Sequence, residues 1–521
     1  MSSKLQARVC VPVCVSSAAE LRDAATRAAA TADLIELRFD CLDKGQLGDA
    51  FTRLAGLVSE TPLPFIITNR PAGQGGRLNL DAEERVDFWR EAAGLLRETD
   101  ARARVYADVE LDLLESPRAE RLREILEGLT LICSHHDFHQ TPADLHALYE
   151  RMARTGARVL KIAARAEEIT DCACVLNLVE RARRDGLEMI AVSMGEAGLL
   201  TRVLAPAFGA ALTYGSLEPS QATAPGQLGA RELRELYRVD KLDNETIVTG
   251  LVGSPVSHSL SPHMHNAAFA ARDLNAVYIP FEVADVAAFV RRMAHPHTRE
   301  LQWNLRGFSV TAPHKSSIVG RLDWVEPPAA EMGAVNTVVV EGAELRGYNT
   351  DARAALAPLE GLIDLKGARV AVIGAGGAAR ALLWGLRSRG ARATVFARDL
   401  TRARATAEAF GAELVQSEGA GFGGFDLVVN ATPLGTRGAL EGETPADASH
   451  LRGARLAYDL VYNPARTRFI REAHAAGCET LGGLRMLVAQ AAAQFELWTN
   501  EAAPLEVMRA AAERQLSGVR G

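Results

Sequence analysis

The chain has 521 residues, enough at about 150 residues per domain for roughly three domains and far more than one hydrophobic core needs. With 48% apolar and 24% charged residues, and no apolar run near the roughly 18 residues of a membrane span, neither disorder nor a membrane helix is expected. The 58 Lys+Arg against 65 Asp+Glu leave a net charge of −7 with no long basic run, which argues against a nucleic-acid partner and for small-molecule chemistry.

Seven cysteines are an odd number, and spacings such as Cys10 with Cys14 or Cys172 with Cys174 fit neither a disulfide scaffold nor paired zinc ligands. They are expected as buried thiols in a reducing compartment. The N-terminus MSSKLQARVC shows no signal or transit pattern, so the cytoplasm is the expected site. Only six of the 58 basic residues are lysines, so a lysine inside an apolar strand calls for a specific explanation.

Eight short β-rich runs recur through the first half: ARVCVPVCV from Ala7, DLIELRFD from Asp33, PFIITNR from Pro64, RVYADVEL from Arg104, LTLICSHHDF from Leu129, ARVLKIAAR from Ala157, EMIAVSMG from Glu188 and ALTYGSL from Ala211. Between them lie segments of helical period, such as AEERVDFWREAAGLL from Ala82 and PADLHALYERMART from Pro142. Near-continuous apolar strands alternating with helices predict a parallel sheet covered by helices, and eight units over about 230 residues match a (β/α)8 barrel. An open doubly wound sheet is the alternative.

In a barrel the chemistry sits where strands end. Glu36 and Arg38 close the second run, Arg70 the third, Asp108 and Glu110 the fourth, and His135 and His136 the fifth. Lys161 lies within the sixth, Arg202 follows the seventh, and Thr223 and Gln227 lie in the loop QATAPGQ after the eighth. The neighbours of Lys161 are Val159, Leu160, Ile162 and Ala163, surroundings expected to desolvate the amine and activate it as a nucleophile. A histidine one strand away and three arginines on the same rim point to Schiff-base chemistry on a substrate carrying a carboxylate and hydroxyls.

The segments ELRFD, TNRPAGQGG, SHHDF, VLKIA, MGEAGLLTR and TAPGQ, in that order, resemble the motif series of type I 3-dehydroquinate dehydratase across the whole first half. The resemblance implies that Lys161 forms an imine with the substrate ketone. It implies that His136, the second histidine of SHHDF, takes the C2 proton and then protonates the departing hydroxyl. Glu36, Arg38, Arg70, Arg202, Thr223 and Gln227 would bind substrate. Two positions depart from the family pattern: Thr223 stands where Ser is usual, and Gln74 where Glu often bonds the catalytic histidine. The Gln74 amide oxygen is expected to keep His136 oriented.

After ARELRELYRV the polar stretch DKLDNE leads into a new strand, TIVTGLVG. The segment GSPVSHSLSPHMHN then places Ser257, Ser259 and Ser261 among His258, His263 and His265; without a nearby cysteine or carboxylate set no metal is expected, and the hydroxyls suit a polyol. Lys315 ends GFSVTAPHK, Asn336 lies in AVNTVVV, and Asn349 and Asp351 lie in RGYNTDA. ARVAVIGAGGAARALLWGL sets Gly374, Gly376 and Ala379 in a GxGxxA pattern between an apolar strand and a helix, where a turn can bring a pyrophosphate to helix N-terminal amides. The next strand, ATVFAR, ends in Arg398, where NAD-binding sites place an acid; arginine points to the 2′-phosphate of NADP, with Asp399 opposing it.

HSLSP, SVTAPHK, AVNT, NTDA, GAGGAARA, the stretch from Arg398 to Arg402, VNATPLG, YDLVYNP and LGGLRMLVAQAA, again in order, resemble shikimate dehydrogenase over the second half. The resemblance implies substrate contacts from Ser259, Ser261, Thr311, Lys315, Asn336, Asp351, Tyr462 and Gln490. It implies NADP contacts from Gly374, Gly376, Gly377, Ala378, Arg398, Arg402, Asn430 and Thr432, with Lys315 and Asp351 as the proton-transfer pair. Ser309 stands where Asn is common, and its hydroxyl is expected to compensate in the pocket.

The product of the first family is the substrate of the second. The expected α/β architecture is an N-terminal TIM barrel over 1–240, a shikimate-binding domain over 246–352 completed by helices over 484–516, and a Rossmann NADP-binding domain over 353–483. The expected activity is dehydration of 3-dehydroquinate followed by NADPH-dependent reduction of 3-dehydroshikimate to shikimate. A quinate-using catabolic pair is one alternative; a ligand sensor built from inactive domains is another, opposed by the joint presence of Lys161, His136, Lys315 and Asp351. The partners expected are the small-molecule substrates.

Overall fold

The computed structural model describes residues 7–97 and 99–518. The chain forms two compact units, one holding the chain up to Val248 with Asn275–Ala294 and Thr298–Asn304, the other Thr249–Leu274, His295–His297 and the chain from Leu305 onward.

The eight runs of the first half become β1 (Val9–Val13), β2 (Leu34–Arg38), β3 (Phe65–Thr68), β4 (Val105–Glu110), β5 (Thr130–Asp137), β6 (Val159–Arg165), β7 (Glu188–Met194) and β8 (Thr213–Tyr214). They pair in parallel in the order β7-β6-β5-β4-β3-β2-β1-β8. The Ala211 N–H, on the approach to β8, donates to the Met189 carbonyl of β7 at 2.7 Å, so the sheet curls into a near-closed barrel and not the open doubly wound alternative. Alternate residues point inward: Cys10, Leu34, Ile66, Ile132, Val159, Ile190 and Tyr214 share one interior cluster. The residues between them, such as Val11, Ile35, Ile67, Leu160 and Ala191, are also buried, which is why the strands read as continuous apolar runs.

Local chemistry sets the helix starts. Asp81 caps the helix Ala82–Leu96 by accepting from the N–H groups of Glu83 and Glu84, while the Glu84 side chain accepts from the Asp81 N–H. The helix expected from Pro142 begins at Leu145 because the Asp144 carboxylate accepts from Ala147 N–H and caps it there. β8 is shorter than its sequence run. At Gly215 the backbone lies against Ala230, so closely that an added Cβ would sit 2.6 Å from the Ala230 Cα, and the strand pairing stops.

The cysteine expectation needs correction. Cys14, just past β1, and Cys41, in the turn after β2, form a disulfide with Cα atoms 5.3 Å apart. β1 and β2 are paired neighbours, so their ends bring together two residues whose separation of 27 carries no motif. Cys10, Cys133, Cys172 and Cys478 are buried free thiols, and Cys174 is a half-buried one.

The later strands are β9 (Ile247–Gly253), β10 (Ala276–Glu282), β11 (Leu305–Val310), β12 (Trp324–Val325), β13 (Thr337–Glu341) and β14 (Glu344–Tyr348), and within the second unit they run in the sheet order β11-β13-β14-β12. Against β13 runs the helix Leu484–Thr499: Trp498 Nε1 donates to the Val338 carbonyl at 3.0 Å and Gln494 Nε2 to Thr337 Oγ1 at 3.1 Å. The third sheet is β15 (Arg369–Ile373), β16 (Arg392–Ala397), β17 (Glu413–Gln416), β18 (Leu427–Asn430), β19 (Leu456–Asp459) and β20 (Glu479–Leu481), all parallel, in the order β17-β16-β15-β18-β19-β20. That is the 3-2-1-4-5-6 order of a Rossmann sheet, with the switch point between β15 and β18. Val370 and Val372 feed one face, and Ala371 and Ile373 the other, so both faces are covered.

Candidate active sites

At the C-terminal end of the barrel, the two-residue period carries the interior apolar positions into polar ones. On β6 Val159 is followed on the same face by Lys161, on β5 Ile132 by Ser134 and His136, on β4 Tyr106 by Asp108 and Glu110, and on β2 Leu34 by Glu36 and Arg38. Glu36, Arg38, Arg70, Gln74, His136, Lys161, Arg202, Tyr214, Thr223 and Gln227 line one cavity. His135, out of step by one residue, faces the other way.

Lys161 is 5% exposed, but its surroundings are polar. Leu160 and Ile162 lie on the opposite face of the strand. Nζ donates to Asp108 Oδ2 at 2.7 Å, to the Tyr214 hydroxyl at 2.8 Å and to Glu36 Oε1 at 3.3 Å. Burial opposes ionisation of Asp108, yet the charges of Arg70 and Lys161 hold its carboxyl well below the usual carboxylate range. Burial first, then the charges of Arg70 and Lys161, hold the His136 imidazole well below its ordinary value, leaving a neutral ring able to act as a base.

The three arginines differ. Arg38 forms a bidentate pair with Asp40, at 2.8 and 2.7 Å. Arg70 binds Asp108 at 2.6 Å, Glu110 at 2.7 Å and Ser134 Oγ at 2.7 Å. Arg202, in the helix Leu199–Leu204, has no carboxylate partner among the described residues: one nitrogen donates to the Pro225 carbonyl at 2.9 Å, Nε has no partner, and burial lowers the guanidinium to about 10. Thr223 donates to Gln227 Oε1 through its N–H at 2.7 Å and its hydroxyl at 3.1 Å.

Gln74 departs from expectation. Its Oε1 accepts the His136 main-chain N–H at 2.8 Å, while the ring Nδ1 is buried without a partner among the described residues. The loop meets β5 at its backbone, so Gln74 pins the strand end and does not orient the ring. A carboxylate at the same place would favour the protonated imidazole. Gln74→Glu therefore moves the acidic limb of the kcat/KM profile for the reaction expected at this cavity to higher pH by about one unit, because a general base acts deprotonated. An unmoved limb in the pH–rate profile would show that position 74 does not influence the ring.

In the second unit, Lys315 Nζ lies 2.6 Å from Asp351 Oδ2, and Asn336 Nδ2 donates to Asp351 Oδ1 at 2.8 Å. Asp351 opens the helix Asp351–Leu356, its N–H held by Asn349 Oδ1 at 3.0 Å. Both carboxylate oxygens are thus oriented. The Lys315 stem runs along the start of the helix Gly377–Ser388: an added Cβ at Gly377 would lie 3.2 Å from Lys315 Cδ. Ser259 Oγ accepts the Ser261 N–H at 3.2 Å, in front of the helix Ser261–Ala271. The Thr311 methyl packs on Gly253, Gln490 Nε2 donates to the Leu487 carbonyl at 2.9 Å, and burial raises the Tyr462 phenol. The Ser309 hydroxyl donates to buried Gln494 Oε1 at 2.8 Å, on the helix Leu484–Thr499.

A cavity of about 810 Å³ opens at the β15–β18 switch point, lined by Gly374, Gly376, Arg398, Asp399, Arg402 and Thr432. Gly374 has φ +110°, which favours glycine, and an added Cβ there would meet the Ala431 carbonyl at 3.0 Å. Gly377 and Ala378 open a helix with no side-chain cap, leaving its first amides free to meet an anion. Asp399 caps the helix Leu400–Phe410 by accepting the Arg402 N–H at 3.0 Å. Asn430 stands behind the cavity wall, fully buried, donating to Asp459 and to the Leu434 carbonyl and accepting from Thr432. It positions Thr432. Sequence reasoning missed Tyr214, Ser134 and Gln494, whose only signal is strand parity or a contact far along the chain, and Asp40, whose signal was its place two residues after Arg38.

The family model for Type I 3-dehydroquinase matches residues 9–244, that for the shikimate dehydrogenase substrate binding domain matches 251–338, and that for the shikimate 5'-dehydrogenase C-terminal domain matches 483–513. The chain is 43% identical, over 50% of its length and 91% of the relative, to shikimate dehydrogenase (NADP(+)) of Moorella thermoacetica. A crystal structure of shikimate 5-dehydrogenase from Thermus thermophilus, in complex with NADP(H) and shikimate, is similar at 38% identity and TM-score 0.46 over 52% of this chain and 99% of that one. Over 96% of this chain and 83% of the relative, identity is 34% to the bifunctional 3-dehydroquinate dehydratase/shikimate dehydrogenase of Arabidopsis thaliana. Identity sustained across both halves shows that the chain belongs to the family of bifunctional 3-dehydroquinate dehydratase/shikimate dehydrogenases.

Proposed function

We propose that the barrel dehydrates 3-dehydroquinate and that the second unit reduces the resulting 3-dehydroshikimate to shikimate with NADPH. The observation that carries this reading is Lys161, a buried primary amine on a cavity wall shared with a neutral His136 and an uncompensated Arg202. Lys161 condenses with the substrate ketone, and the iminium acidifies the neighbouring C–H. His136 removes that proton and returns one to the departing hydroxyl. Arg202 takes the substrate carboxylate, since the charges of Arg38 and Arg70 are already matched by carboxylates. Glu36, Arg38, Thr223 and Gln227 supply acceptors and donors for hydroxyls, and Arg70 acts mainly by holding Asp108 and Glu110.

In the second unit the open Gly376 turn, the uncapped helix and the arginine pair fit a dinucleotide phosphate. When bound, NADPH supplies the hydride. Lys315 and Asp351 hold and deliver the proton that the reduced oxygen takes up, while Ser259, Ser261, Thr311, Asn336, Tyr462 and Gln490 form the substrate's surroundings. The Asp399 carboxylate is engaged by its helix, which limits its repulsion of a 2′-phosphate. Arg398→Ala should therefore lower kcat/KM for NADPH by roughly ten- to a hundredfold and leave NADH nearly unchanged. Parallel losses with both cofactors would deny Arg398 a role at the 2′-phosphate.

The reading keeps the domain limits 1–240, 246–352 with 484–516, and 353–483. Among the described residues no helix is long and apolar enough to cross a membrane. A cytoplasmic site is supported by the free thiols, with the Cys14–Cys41 bridge weighing against it. The test is to supply 3-dehydroquinate and NADPH together and to follow shikimate. Accumulation of 3-dehydroshikimate without NADPH oxidation refutes the second half of the reading, and persistence of 3-dehydroquinate refutes the first.

A further inference from the structure

Tyr214 is the last residue of β8 and pairs with Cys10 of β1, so the strand alternation turns its side chain into the barrel. The phenol reaches the atom that forms the imine. Its oxygen lies 2.8 Å from Lys161 Nζ, and the same Nζ stands 4.5 Å from the ring centroid. Three groups bond Nζ, and two of them are carboxylates acting as acceptors: Asp108, which also binds Arg70, and Glu36, whose Oε1 also accepts from Thr68 Oγ1 at 2.9 Å. A tyrosine hydroxyl differs because it accepts one hydrogen bond and donates another at the same time. Burial, with the Glu36 charge next, holds the phenol well above its ordinary value, so it stays protonated between the two carboxylates and the ammonium. Tyr214 lines the same cavity as Lys161 and His136.

We propose that Tyr214 is a catalytic residue of imine formation, relaying protons from Lys161 Nζ to the substrate ketone oxygen. The proposal rests on the Schiff-base reading of Lys161. As Nζ attacks, the Tyr214 oxygen accepts a proton from Nζ while giving its own to the ketone oxygen, and the carbinolamine hydroxyl forms. A second passage of the same kind moves another proton from Nζ to that hydroxyl, the C–O bond breaks, and water leaves as the C=N bond forms. Nζ loses two protons and keeps one, oxygen gains two, and the positive charge remains on the iminium beside Asp108 and Glu36. No tyrosinate accumulates and no further reagent is required. Hydrolysis of the product imine runs the same relay backward.

The test is Tyr214→Phe in the full chain, which keeps the ring over the ammonium and removes only the hydroxyl. Enzyme mixed with 3-dehydroshikimate, quenched at intervals with borohydride and read by mass spectrometry, should approach its final adducted fraction about 100-fold more slowly than wild type. The fraction reached at equilibrium should change less than about threefold, because a relay alters rates and not the balance. Approach at within about twofold of the wild-type rate would overturn the proposal. A reduced equilibrium fraction at an unchanged rate would overturn it too, marking Tyr214 as an anchor for Lys161. Melting temperature and dehydrogenase activity of the same sample check that the variant is folded. If it is not, wild-type enzyme decides: a two-proton relay should slow adduct formation about twofold or more in D2O, and a rate equal to that in H2O rejects it. Failure of wild-type enzyme to form any adduct, or label on another lysine, refutes the Schiff-base reading instead.

Discussion

Lys161→Ala abolishes dehydration of 3-dehydroquinate and leaves NADPH-dependent reduction of 3-dehydroshikimate at wild-type rate. The loss should exceed about 10⁴-fold, since the step it removes is covalent and, among the described residues, no other lysine contributes to the barrel cavity. Removing one partner of a buried ion pair can cost about 3–5 kcal/mol, but Asp108 keeps Arg70 at 2.6 Å, so the barrel should fold with a lowered melting temperature. In wild-type enzyme, borohydride added with the product should fix one ligand mass to the peptide containing Lys161. Dehydration persisting in Lys161→Ala, measured as enone absorbance, would sink the assignment whatever the labelling shows.

Lys315→Met should lower the dehydrogenase kcat by about 10²–10⁴-fold, or about 3–5 kcal/mol in the barrier, with KM for 3-dehydroshikimate changed far less. The ammonium lies 2.6 Å from Asp351 Oδ2 and its side chain keeps 21% of its surface exposed, so it can both hold a proton and meet a substrate oxygen. The melting temperature should fall somewhat, because Lys315→Met leaves the buried Asp351 carboxylate without its cation, although Asn336 still donates to it. Asp351→Asn should show a similar loss in kcat. A Lys315→Met enzyme keeping more than about a tenth of its kcat would make the pair structural, and the dehydratase rate of the same sample provides the internal standard.

Much was legible in the chain itself because its causes are local. Strand and helix alternation follows from side-chain period, the Rossmann turn from Gly374 and Gly376 at the end of an apolar strand, and the start of the helix Ala82–Leu96 from Asp81 and Glu84. The motif residues Lys161, His136, Lys315 and Asp351 were in view for the same reason: each lies within a short segment whose residue types belong together.

Which neighbours these groups meet came from the folded arrangement alone. Leu160 and Ile162 sit beside Lys161 in the chain and suggested an apolar site, but a strand sends successive side chains to opposite faces, and the barrel puts Asp108, Glu36 and Tyr214 around Nζ from 53, 125 and 53 residues away. Arg38, Arg70 and Arg202 look alike as strand-end arginines; Arg38 pairs with Asp40 two residues on, but only the fold brings Asp108 and Glu110 to Arg70 from 38 and 40 residues away and leaves Arg202, among the described residues, without a carboxylate. Cys14 and Cys41 became partners because β1 and β2 are adjacent, and Gln74 met the backbone of His136 because its loop packs on the end of β5. Periodicity and short-range hydrogen bonding, both written along the chain, set the order of elements and the chemistry available at each strand end. Closure of the barrel set charge compensation, because Coulomb energy and desolvation depend on distance in space, which a linear spacing does not encode.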